Sequence, residues 1–111
     1  MSDKLLGPTA IKEGKMVLDT VIIGAGPAGI SSAIYLKRAG IHFEIIEKKR
    51  IGGLLNNAHR IENYPGFSEI SGPEIVHAMM EQLDKWHIEP KMAEVQAIEE
   101  IDVGFKLTTT D

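Results

Sequence analysis

Three glycines and one acid carry the clearest chemistry in this 111-residue sequence. Gly24-Ala25-Gly26-Pro27-Ala28-Gly29 has the spacing G-x-G-x-x-G, and Glu47 stands 18 residues beyond the last glycine. That distance is close to the ~20 residues after which a carboxylate accepts hydrogen bonds from an adenosine ribose 2′-OH. Each glycine has a task in such a site: Gly24 permits a sharp turn, Gly26 lets the backbone approach a pyrophosphate, and Gly29 lets a helix pack close to a strand. Pro27 suits a first helical turn, where free N–H groups and the helix dipole favour an anion. Lys48, Lys49 and Arg50 follow the acid and could hold a 2′-phosphate; a solvated loop is the preferred reading, because Glu47 would repel a phosphate on that ribose.

A glycine pattern alone also fits an ordinary turn, so its context decides. Val17, Leu18, Val21, Ile22 and Ile23 form an apolar, strand-forming run that ends directly in the turn, and a helix is expected from there to Arg38 or Ala39. Ala28, Ala33 and Ile34 are expected to pack on the sheet, Lys37 and Arg38 to sit in the last turn, and Gly40 to cap it. A second strand, His42 to Glu47, closes on the acid. Strand, turn, helix, strand and terminal acid together predict dinucleotide binding in an α/β fold.

Composition narrows the alternatives. A net charge of −4 argues against a nucleic-acid surface, which needs a basic stripe. No run of ~20 apolar residues suggests a membrane span, and the N-terminus lacks the apolar core of a signal peptide. With no cysteine in the sequence, disulfides, Cys-zinc sites and thiol nucleophiles fall away, and cytoplasmic residence is the expectation that remains. His42, His59, His77 and His87 lack the spacing that puts two ligands on one helix face, so no metal site is expected. The length suits one domain at most.

Residues 1–15 have mixed charge, two glycines, a proline and no period; they read as a flexible leader, with a partner-binding arm as the alternative and Met16 as a possible second start. Residues 16–111 are the nucleotide-binding portion. Residues 48–70 read as a long connection carrying Gly52-Gly53, Asn56-Asn57 and Tyr64-Pro65-Gly66-Phe67, and the paired glycines fit either a backbone track for a longer ligand or a plain turn. Ser71-Gly72-Pro73-Glu74 has the form of a capping box that starts a second helix. Its apolar stripe is Ile75, Val76, Met79, Met80, Leu83 and Trp86, read as core packing, with Glu81 and Lys85 paired on the outer side. Val95, Ala97 and Ile98, then Phe105, Leu107 and Thr109, predict a hairpin turning at Asp102-Val103-Gly104 with its charged residues outward.

Val21 to Gly29, Glu47, Gly52-Gly53-Leu54-Leu55, Glu62-Asn63-Tyr64-Pro65-Gly66-Phe67 and Ser71-Gly72-Pro73-Glu74, in that order, resemble the N-terminal third of the thioredoxin reductase family of FAD- and NADPH-dependent oxidoreductases. The likeness covers about residues 16 to 111, and the joined E-N-Y-P-G-F and S-G-P-E segments are far more specific than the glycine pattern. The resemblance implies a Rossmann-like FAD-binding domain: a parallel sheet with flanking helices and a small antiparallel β element. It implies Gly24, Gly26, Pro27, Ala28 and Gly29 along the pyrophosphate and Glu47 at the adenosine ribose. It further implies Gly53, Leu54, Leu55, Ala58 and Ile61 near the ribityl and flavin parts, Asn63 at the flavin, and Val95 at the adenine.

Departures from the family pattern limit what carries over. Leu54 stands where members usually have glutamine, which removes or replaces a polar contact to the cofactor. No C-x-x-C pair, NADPH-binding domain or C-terminal G-D segment is present in these 111 residues, and no residue is a convincing catalytic acid, base or nucleophile. The resemblance implies that a complete enzyme passes electrons from NADPH through FAD to thioredoxin, ferredoxin or a similar acceptor, as a homodimer. Two other readings remain: a nucleotide-binding module with no catalysis of its own, and an NAD-binding dehydrogenase domain, which Glu47 favours but the Gly52-Gly53 and Asn63 segments do not.

Overall fold

The computed structural model describes residues 10–12 and 15–110. Its centre is a parallel three-stranded sheet, β3 (Thr20–Ile23), β4 (Phe43–Glu47) and β5 (Lys91–Met92), with β4 in the middle. The register pairs Thr20 with Phe43 and Ile23 with Ile46, so β3 and β4 end side by side. The Gly24 N–H donates to the Ile46 carbonyl at 2.7 Å and carries the ladder one step into the glycine turn. Parallel strands need a crossover, and α1 (Pro27–Arg38) and α2 (Gly72–Lys85) provide the two. This is the α/β, Rossmann-like arrangement expected, with two antiparallel pairs added: β1 (Ala10–Lys12) with β2 (Lys15–Val17), and β6 (Val95–Glu100) with β7 (Phe105–Thr109).

Part of the stretch expected to be a flexible leader is therefore paired backbone, while residues 1–9 and 13–14 lie outside the described residues. The apolar run expected as one strand is broken at Leu18 and Asp19. Asp19 exchanges bonds with His42, its N–H donating to the His42 carbonyl at 3.1 Å and its carboxylate accepting from the His42 N–H at 3.3 Å.

Both helices begin and end for identifiable reasons. Gly26 is the N-cap of α1 with Pro27 at its first position. At its end Gly40 (φ +74°) donates to the Lys37 carbonyl and Ile41 to the Leu36 carbonyl, the two bonds of a Schellman motif. On α2 the capping box is present: the Glu74 N–H donates to the Ser71 hydroxyl at 3.2 Å and the Ser71 N–H to the Glu74 carboxylate at 3.1 Å. The Ser71 N–H first, and the Ser71 hydroxyl second, hold the Glu74 carboxyl below the usual carboxylate range.

The core lies between the sheet and the helices and contains Ala25, Ile30, Ala33, Ile45, Ile61, Ile75, Val76, Met79, Leu83 and Ile88. Two expected packing positions differ. Ala28 is exposed, because the buried face of α1 is set by Ile30 and Ala33. Met80 is also exposed and Trp86 half-buried, so the α2 stripe narrows to Ile75, Val76, Met79 and Leu83. Glu81 pairs with His77 one turn earlier (3.7 Å), not with Lys85. The Arg38 guanidinium lies 5.9 Å from the Trp86 ring centroid, where a cation–π contact joins the ends of the two helices. The hairpin forms as expected, with a bulge between Val95 and Ala97, but Ile98 and Phe105 are exposed along with its charges.

No helix among the described residues is long and apolar enough to cross a membrane.

Candidate functional site

Ala25 is the hub of the site. It is wholly buried, and its backbone is held from both sides. Its N–H donates to the Glu47 carboxylate Oε1 at 2.8 Å, and its carbonyl accepts from the Gly52 N–H at 2.7 Å. The glycine turn, the end of β4 and the Gly52-Gly53 loop are thus fastened to one another at a single residue, through the peptide groups on either side of its Cα. In open α/β sheets ligands bind beyond the carboxyl ends of the strands, and that is where this junction stands.

The glycines divide by what surrounds them. A methyl group built on Gly26 would meet no atom within 4 Å, so the space above that backbone is open. On Gly29 it would fall onto the Gly24 carbonyl oxygen, which explains why this position must be small for α1 to seat on the turn. On Gly53 (φ +58°) it would stand 3.7 Å from the Gly26 Cα, so the two loops face each other across a narrow gap. Immediately beyond the C-termini of β3 and β4 a cleft of about 340 Å³ is lined by Ile23, Gly24, Ile46, Glu47, Lys48, Ala93, Glu94 and Val95. That volume lies within the ~300–1,000 Å³ typical of small-molecule sites.

Glu47 is the one buried ionisable side chain among the described residues, 9% exposed. Burial alone pushes its carboxyl up, but the backbone N–H groups of Ala25, Lys49, Arg50 and Lys48 stabilise the charge and bring it below the usual range. Oε1 takes the Ala25 bond and Oε2 the Lys49 bond at 2.9 Å. A carboxylate has about four lone-pair sites, so each oxygen can still accept a hydroxyl. The acid read from spacing as a ribose acceptor is at the same time a tie between strand and turn.

The expected site residues fall into three groups: the cleft, the first turn of α1 and the connection after β4. Gly24, Glu47 and Val95 line the cleft, with Gly26 and Gly53 opposed beside it. Pro27, Ala28 and Gly29 form the first turn of α1. In the connection, Gly53 to Asn57, with Leu54 and Leu55 inside it, is a 3-10 helix that the sequence pattern did not reveal. Leu54 is 87% exposed, whereas Leu55 and Ala58 pack against the core. Ile61 is buried and pairs with Ile70 through two backbone bonds, of 2.7 and 3.0 Å, closing residues 62–69 into a loop. Asn63 is exposed on that loop, which Arg60 braces by ion pairs to Glu62 and Glu69. Ala93 and Glu94, which nothing in the sequence singled out, reach the cleft because the Ala93 N–H donates to the Glu47 carbonyl at 3.0 Å.

Comparison with known proteins bears on this geometry. Residues 21–65 match the family model described as pyridine nucleotide-disulphide oxidoreductase. The chain is 49% identical over 65 residues to the thioredoxin reductase of Mycoplasma genitalium, a match covering 59% of this chain and 21% of that protein. In three dimensions it resembles the thioredoxin reductase of Streptococcus pyogenes with a TM-score of 0.78 and 44% identity, over 85% of this chain and 31% of that one. Over the residues matched, the chain is similar to thioredoxin reductases. A ferredoxin-flavin thioredoxin reductase from Clostridium acetobutylicum also resembles it, with a TM-score of 0.78 at 30% identity, over 85% of this chain and 33% of that one. The chain spans about a fifth to a third of the length of these relatives and corresponds to the N-terminal part of the thioredoxin reductase fold.

Proposed function

We propose that this chain is the FAD-binding N-terminal portion of a thioredoxin-reductase-like flavoprotein that passes electrons from NADPH through FAD to thioredoxin or a related acceptor. The observation that carries this reading is the open space above Gly26, close to Gly53, together with a cleft lined by Gly24 and Glu47. A ligand that crosses from cleft to opening would meet the glycine backbone and the N-terminus of α1 at its middle, which suits the pyrophosphate of a dinucleotide.

In this reading Glu47 accepts the ribose hydroxyls and Val95 borders the adenine. Gly24, Gly26, Pro27, Ala28 and Gly29 present backbone N–H groups and the positive end of α1 to the pyrophosphate. Gly53, Leu54, Leu55, Ala58 and Asn63 border the ribityl and flavin end, and Ile61 supports them from the core. The bound flavin supplies the hydride chemistry, and the protein's residues bind and orient it. With Leu54 87% exposed at this edge, its contact to the cofactor is apolar. Among acceptors, thioredoxin is supported by the names of the relatives, and the Clostridium acetobutylicum neighbour makes ferredoxin an alternative electron source or partner. As the family resemblance implies, the complete protein would be a cytoplasmic homodimer.

Separate titrations of FAD and NAD into the natural full-length protein test the proposal. FAD is expected to bind with a change in its own fluorescence, and NAD not to compete at this site. Binding of NAD with no binding of FAD would return the chain to the dehydrogenase reading.

A further inference from the structure

Gly52 and Gly53 both adopt positive φ, +97° and +58°. Two consecutive glycines are the least ordered pair a chain can present to a binding site, since glycine loses more freedom on folding than any other residue. Their position is nonetheless specific: the Gly52 N–H reaches the Ala25 carbonyl, and Gly53 faces Gly26 across the opening. Behind them Val76 of α2 packs so closely that a methyl group on Gly52 would collide with it. Backbone bonds hold the pair as well, the Gly53 N–H donating to the Arg50 carbonyl at 3.1 Å and the Leu55 N–H to the Gly52 carbonyl at 3.2 Å, and they leave the Gly53 carbonyl to a side-chain donor.

One side chain spans the pair. The Asn56 amide nitrogen donates to the Ile51 carbonyl at 2.9 Å and to the Gly53 carbonyl at 3.0 Å, just before and at the end of the two glycines. Both partners are acceptors, so only the amide's NH₂ side fits there, and both of its protons are used. A continuous path then runs from Asn56 through Gly53 and Gly52 to Ala25 and on to the Glu47 carboxylate. We propose that Asn56 is a positioning residue for the dinucleotide: it sets the Gly53 edge of the opening, and through it the affinity for the flavin end of the ligand. This rests on the FAD reading above and adds to it a residue with no contact to the ligand required.

The test uses the natural full-length protein stripped of flavin, with Asn56→Asp, which keeps the shape but loses both donors, and Asn56→Ala, which loses the shape as well. FAD affinity is measured at a temperature where the apo-protein is fully folded, beside the visible circular dichroism of the bound flavin and the apo-protein's unfolding temperature. Both variants are expected to bind FAD about tenfold or more weakly, as befits loss of both bonds from a group holding a loop in its bound form. The dichroism of the bound flavin changes as well, which a lowered unfolding temperature alone would not cause. Asn56→Ser retains one donor and is expected to be intermediate. Wild-type FAD affinity in any folded Asp or Ala variant overturns the proposal, as does unfolding of all three variants, which would make the amide a part of the fold and not of the site. Failure of the unaltered protein to bind FAD would instead overturn the proposed function.

Discussion

At Gly26 the space that a side chain would fill is open, and in the proposed site it is the space the ligand would take, which separates this glycine from Gly29 in the same pattern. Gly26→Val is expected to leave the fold intact, because the site of its Cβ is open, and to abolish FAD retention in the natural protein. Circular dichroism of the protein and flavin content after gel filtration check the two halves; full retention would remove this turn from the pyrophosphate site. Gly29→Ala should do the reverse, destabilising the protein by roughly 1–3 kcal/mol through collision with the Gly24 carbonyl, read by denaturant unfolding. Glu47 adds a pH dependence. Its carboxyl lies below the ordinary range in the folded chain, so its stabilisation is complete above the unfolded value near 4.5 and is lost as pH falls through the lower folded value. Glu47→Gln leaves one backbone N–H facing an NH₂ group and is expected to cost about 1–3 kcal/mol at pH 7. That difference should shrink when unfolding is repeated in acid. A constant difference from pH 7 to 3 would show that the charge is not what holds the turn.

Among the elements, α2 contains a stored cost that substitution can remove. Its C-terminus closes like that of α1, with His87 donating to the Asp84 carbonyl and Ile88 to the Leu83 carbonyl, but the left-handed position (φ +56°) is occupied by histidine instead of glycine. A side chain there costs about 1–2 kcal/mol. Part of that is offset by the greater freedom of glycine in the unfolded chain, so His87→Gly should stabilise the protein by roughly 0.5–1 kcal/mol in chemical denaturation. Both helices were legible in the sequence because their ends are marked by local chemistry: Pro27 and Gly40 on α1, Ser71 and Glu74 on α2. The strand β5 was not legible, since two residues have no period; it exists because Lys91 and Met92 pair with Ile46 and Glu47. Within the site, Gly24, Gly26, Gly29 and Glu47 could be found by spacing alone. Asn56 could not, because its acceptors three and five residues away are brought together only by the 3-10 helix that begins at Gly53. Ala28 and Met80 were misplaced for a related reason: a periodic stripe identifies a helix but not how wide its buried face is, which the neighbouring layer sets.

At the scale of the whole molecule, the proposed site is built from one side by these residues. The sheet, the glycine turn and the 3-10 helix form a floor and one wall, and Leu54 and Ile23 stand exposed at its margin, 87% and 53%. A drug-sized ligand in a mature pocket has ~70–90% of its surface covered. The cleft of about 340 Å³ has Glu47, Lys48 and Glu94 as its ionisable lining residues and is too small to cover the larger FAD on all faces. The isolated 111-residue chain is therefore expected to bind FAD more weakly than micromolar, measured by isothermal titration, whereas a longer natural product should retain FAD through gel filtration. The intact mass of the product in its source cells, set against 12.2 kDa for these residues, decides which protein to titrate. If the product is several times heavier, the added sequence supplies the missing wall, and the contrast in affinity between product and isolated chain measures that wall's contribution. If the product has the mass of this chain, tight binding would require a second polypeptide, and FAD affinity should then rise on adding extract from the same cells. Submicromolar binding by the isolated chain would contradict both branches, because it would mean that the floor and one wall suffice.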